Sequence, residues 1–103
     1  MVRTGPLAID LGSGVVTVNG SAVEIGGTKQ FGLLLLLARA RGNVVSRREL
    51  SLALYGGQTG AYTETCLRGV VVQMRRRLGA AGRLIANVRG VGYRLEMESV
   101  DHA

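Results

Sequence analysis

The sequence predicts one α+β domain, with an N-terminal antiparallel sheet, three helices and a C-terminal β-hairpin. Three observations carry this. Short apolar runs separated by glycine turns fill the first quarter of the chain. The apolar spacing changes to three and four residues from Thr28 onward, and after Gly79 two short apolar runs flank Arg89-Gly90-Val91-Gly92. At 103 residues the chain is one domain's worth, expected to span 1–103 with an ordered core at about 6–97 and a frayed tail at 98–103.

Residues 7–11 alternate roughly and end at Gly12-Ser13-Gly14, and residues 15–18 read as a second strand. Asn19-Gly20 is the strongest short hairpin signal. Residues 21–25 then form the returning strand, closed by Gly26-Gly27. From Thr28, a plausible N-cap, Phe31, Leu34, Leu35 and Ala38 take the i, i+3, i+4, i+7 spacing of a helix, with Arg39, Arg41 and Gly42 suited to its end. Leu33, Leu36 and Leu37 make this helix apolar on nearly every side, so it is deeply buried or packs against another domain. Val44-Val45 suits a single bridging strand. Ser46-Arg47-Arg48-Glu49 is a capping box, opening a second helix at 47–54 that Gly56-Gly57 stops.

The third helix runs over 61–78 and ends at Gly79. Leu67, Val71, Met74 and Leu78 fall within about 60° of one another and form its buried face. Thr65, Gly69, Val72, Gln73 and Arg76 lie opposite, flanked by Arg68 and Arg75. Strands at 84–88 and 93–97 make the final hairpin.

Net charge is +6, and its distribution is uneven. Between Arg39 and Arg94 stand eleven arginines against two acids, Glu49 and Glu64, a local excess of nine positive charges. Such a segment suits a polyanionic partner. The longest apolar run, Leu33 to Ala38, has six residues where a membrane span needs about twenty, so a cytoplasmic domain with no membrane partner is expected. Cys66 is the only cysteine and His102 the only histidine. No disulfide, metal site, cofactor or catalytic constellation is expected from them, and Cys66 reads as a half-buried structural residue. Gly90-Val91-Gly92 is followed by a strand rather than a helix, which rules out a nucleotide-phosphate loop.

Three helices followed by a hairpin with an arginine at its turn suit double-stranded DNA. A helix about 10–12 Å across fits a major groove about 12 Å wide. The helix before it sits against phosphates, and an arginine on the hairpin reaches a narrow minor groove. Those roles fall to 61–78, 47–54 and Arg89. Arg75 and Arg76 are read as phosphate contacts, although the helix dipole also accounts for cations in a last turn. Arg47 and Arg48 occupy a first turn, where the dipole disfavours cations and phosphate contact explains them. Arg68 and Gln73 are candidates for bases or phosphates, Val72 for a thymine methyl or a protein partner, and Tyr93 for packing the hairpin onto the core.

The chain resembles the winged-helix effector domain of the OmpR/PhoB type, the output half of bacterial response regulators in two-component systems. Four stretches carry the likeness in order: Phe31 with Leu33, Leu34 and Leu37; Val44 to Leu50; Met74 to Leu78; and Asn87-Val88-Arg89-Gly90-Val91-Gly92-Tyr93-Arg94. The resemblance implies a winged helix-turn-helix in which Asn87 stands where relatives place a threonine near the DNA backbone. It also implies binding in pairs on tandem sites, contact with RNA polymerase, and an N-terminal regulatory domain outside this chain, left open between a receiver, an enzyme-like module and none. This chain departs from the pattern at Thr65, at Leu67-Arg68-Gly69-Val70 and at Gln73, where the family's histidine and two arginines are missing, and at Gly26-Gly27. The rival reading is a winged helix for protein–protein or interdomain contact, motivated by the apolar Gly69-Val70-Val71-Val72 stretch.

Overall fold

Alternation at the N-terminus produces a four-stranded antiparallel meander in the order β1 (Val2–Thr4), β2 (Leu7–Ile9), β3 (Val16–Val18), β4 (Ser21–Ala22). Leu7 pairs with Val18 and Ile9 with Val16, so Leu7, Ile9 and Val16 enter the core from one face. Asn19 (φ 53°) and Gly20 (φ 82°) make the two-residue turn with both φ positive that this hairpin requires. The computed structural model describes residues 1–56 and 60–99, without the side chains of residues 61 and 62.

The ordered core begins earlier than residue 6. Val2–Thr4 pairs with Leu7–Ile9, and the Thr4 hydroxyl, fully buried, donates to the Glu96 carbonyl at 2.6 Å and accepts from the Glu98 amide at 2.7 Å. Position 98 is therefore tied down rather than frayed, and the Arg83 guanidinium bonded to Glu98 holds that carboxyl below its ordinary range. Residues 100–103, with His102, lie outside the described residues. The strand expected over 21–25 stops at Ala22, with the Val23 amide still donating to the Val16 carbonyl at 2.8 Å and Ile25 packed against the core.

Helix α1 (Thr28–Arg39) opens at Gly27 with no side-chain cap, so Thr28 is its first residue and not its N-cap. Leu33, Leu34, Leu37 and Ala38 are buried, with Phe31, Leu35 and Leu36 packed beside them, so the all-round apolar helix is satisfied largely within the domain. Helix α2 (Arg47–Tyr55) is capped by Ser46, whose Oγ accepts from the Glu49 amide at 3.0 Å. The reciprocal half of the capping box takes another form, with Ser46 Oγ facing the Glu49 carboxylate at 3.3 Å. Gly56 (φ 66°) ends α2 in the left-handed conformation.

Helix α3 (Ala61–Leu78), about 27 Å long at 1.5 Å per residue, buries Leu67, Val71, Met74 and Leu78 against α1 and α2. Gly79 to Leu84 then form a 3-10 helix that the sequence did not signal, so the following strand starts at Ile85 rather than at 84. Gly82 lies so close to the Arg75 carbonyl that no Cβ fits there. Strands β6 (Ile85–Val88) and β7 (Gly92–Leu95) form the wing, and β5 (Val45–Ser46) pairs with β7, giving the order β5-β7-β6. The last strand ends at Leu95, short of 97, as the chain turns toward Thr4. Among the described residues no helix is long and apolar enough to cross a membrane.

Candidate nucleic-acid interface

The buried stripe of α3 leaves an outward face of Thr65, Arg68, Gly69, Val72, Gln73, Arg76 and Arg77, all exposed. The side chains of Arg68 and Arg76 make no hydrogen bond or ion pair among the described residues, where the two ion pairs are Arg83–Glu98 and Arg94–Glu96. An arginine held by no acid in the fold keeps its donors for an external anion.

Arg75 is different. Its Nε and Nη2 donate to the Ile85 carbonyl at 2.9 and 2.7 Å, and the residue is half-buried. Arg75, expected at a phosphate, here clamps α3 to the first residue of β6. Gln73 is also engaged, accepting from Gln30 Nε2 on α1. Its Oε1 is thereby committed to holding the helix pair, while the residue remains exposed.

The wing turn places Arg89 in solvent. Val91 N–H donates to the Val88 carbonyl at 2.9 Å, and Gly90 takes φ 78° at the third turn position, where glycine is favoured. Behind the turn, β7 docks on β5 through Gly92, opposite Ser46. A Cβ on Gly92 would overlap the Val45 carbonyl and stand 2.8 Å from the Ser46 Cα, so this glycine is a requirement of close backbone approach. Tyr93 is buried at 4% exposure and packs the hairpin onto the core as expected.

Arg47 and Asn87, both read as DNA contacts, meet each other: Arg47 Nη2 donates to Asn87 Oδ1 at 3.2 Å. The Arg47 guanidinium also lies 5.7 Å from the centre of the Tyr93 ring, and its amide donates to the Val91 carbonyl at 3.2 Å. The first turn of α2 and the wing are thus braced together. Arg48 is exposed beside a groove of about 600 Å³ between α2 and the start of α3, lined by Arg47, Ser51, Leu52, Thr63 and Glu64. Thr65 lies exposed one turn before Gly69. Among the described residues no three histidine, cysteine, aspartate or glutamate side chains converge. The positioning roles of Arg75, Gln73 and Gly92 went unread because each depends on a partner distant in the chain.

The sequence family described as "Transcriptional regulatory protein, C terminal" matches residues 22–95. The chain belongs to this family. Among its relatives, the response regulator protein PmrA of Pseudomonas aeruginosa is 37% identical over 92 residues, covering 89% of this chain and 40% of PmrA. The DNA-binding domain of CpxR from E. coli superposes with a TM-score of 0.78 at 27% identity, covering 95% of this chain and 97% of that domain. DrrB of Thermotoga maritima, an OmpR/PhoB homologue, gives a TM-score of 0.76 at 26% identity, over 91% of this chain and 43% of DrrB. The fold is the OmpR/PhoB-type winged helix, and the chain spans about two-fifths of the length of the regulators it matches.

Proposed function

We propose that this domain binds double-stranded DNA sequence-specifically to regulate transcription. Helix α3 lies in the major groove, and Arg89 enters the adjacent minor groove. The observation that carries this reading is the set of exposed arginines without acidic partners among the described residues, Arg68 and Arg76 on α3 and Arg89 on the wing turn, displayed on a fold shared with the CpxR DNA-binding domain. Arg48 and Arg76 take phosphates, while Arg47, Arg75 and Asn87 hold the elements that present them. The domain performs no catalysis in this reading. It works in the cytoplasm as the output part of a longer regulator with an N-terminal regulatory domain, two copies occupying tandem sites beside RNA polymerase.

Fluorescence anisotropy against random duplex DNA across a salt series tests the proposal, comparing the intact domain with Arg89→Ala. Affinity should fall by about 0.9 log units per phosphate neutralised for each tenfold rise in salt, and should weaken in the variant. A folded domain that binds no duplex at about 50 mM salt would refute the reading and favour protein contact through the exposed Val72.

A further inference from the structure

Gly69 is a residue the fold itself does not call for. It lies inside α3, where glycine lowers helix stability relative to alanine. Its φ is not positive, and a Cβ built on it would meet nothing within 4 Å. At 100° per residue it points about 170° from the mean direction of Leu67, Val71, Met74 and Leu78, so it forms the outermost line of the helix. Val72, about 4.5 Å further along the axis, is 42% exposed although apolar. Arg68 and Arg76 flank the pair and suit a polyanion.

Resting on the duplex-binding reading, we propose that Gly69 is the point of closest approach of α3 to the base edges and that Val72 reads a thymine there. Without a side chain at the apex, the backbone lies nearer the groove floor than any other residue would allow. That depth brings the Val72 methyls within reach of a base edge. Among the base pairs, the major-groove feature complementary to an apolar side chain is the thymine 5-methyl. Specificity at this step therefore comes from shape and apolar contact, with Arg68 and Arg76 supplying charge on either side.

The test begins with selection of a bound sequence from a random duplex library by the intact domain. Each thymine of that sequence is then replaced by deoxyuridine, which removes only the methyl. Replacement at one or two positions should weaken binding about fourfold, the effect of one buried methyl, and Val72→Ala should lose that sensitivity. Gly69→Ala should melt higher, by about 4 °C or more, while binding the selected sequence at least tenfold more weakly. Indifference to every deoxyuridine, or full discrimination by Gly69→Ala, overturns the proposal while leaving duplex binding intact. A folded domain that selects no sequence overturns both readings.

Discussion

Gly92→Ala places a methyl group where two backbones already touch. The added Cβ would lie 2.8 Å from the Ser46 Cα and 2.9 Å from the Val45 carbonyl carbon, nearer still to the Val45 oxygen. Carbon atoms rest at about 3.5 Å or more, so β5 must retreat by at least about 0.7 Å. Overpacking of this kind costs about 1–3 kcal/mol. Losing the two β5–β7 residue pairs, Val45 with Tyr93 and Ser46 with Gly92, adds about 1 kcal/mol per hydrogen bond. A total near 3 kcal/mol leaves a domain of ordinary stability folded, with melting lowered by about 12 °C or more. Thermal unfolding followed by circular dichroism measures this. Gly90→Ala is the control, since its site is open and only φ 78° opposes a side chain, at about 1–2 kcal/mol. The damage should also reach the Arg47–Val91 and Arg47–Asn87 bonds, so Gly92→Ala and Arg89→Ala should combine less than additively in DNA affinity. Melting of Gly92→Ala within about 2 °C of the parent would refute the reasoning.

Three further outcomes are expected. Arg75→Ala should lose about 1.5–3 kcal/mol of stability with its two bonds to Ile85, yet keep the salt slope of DNA binding. Arg76→Ala should do the reverse, changing stability by about 0.5 kcal/mol or less and the slope by about 0.9. Thr4→Val keeps the shape but strips partners from the Glu96 carbonyl and Glu98 amide, so urea titration should show a loss of about 1–3 kcal/mol, with faster exchange of the Glu98 amide. Asp10, bonded by the Ser13 and Gly12 amides, and Glu98, bonded by Arg83, are both held below their ordinary values of 3.8 and 4.5. Their contribution to stability is complete above those values and lost as pH falls through the lowered ones. Acid titration of an Asp10→Asn, Glu98→Gln double variant should therefore show a flatter stability profile below about pH 5 than the parent.

Local signals were legible where one element alone determined the outcome. Helix α3 runs over 61–78 as the spacing of Leu67, Val71, Met74 and Leu78 and the break at Gly79 indicate, and Asn19-Gly20 forms its hairpin. Strand β1 was hidden because three residues carry almost no pattern and one of its two inward members, Thr4, is polar, justified by partners over ninety positions away. The three consecutive arginines of α3 differ only in what they meet. Arg75 sits at the edge of the buried face beside Ile85, whereas Arg76 points outward, and composition cannot separate them. The Arg47–Asn87 bond and the Gly92 contact likewise join segments forty or more residues apart.

The brace of Arg47, Asn87 and Tyr93 means that the wing and the start of α2 cannot shift independently. Arg75 binds α3 to the root of the same wing. Together they make the domain a gauge of fixed span. Its reach from the helix to the wing tip is set by protein bonds, so in the proposed complex a duplex whose grooves are spaced differently would have to deform to be held. Sequences that bend or narrow easily should then bind better even at base pairs no side chain touches.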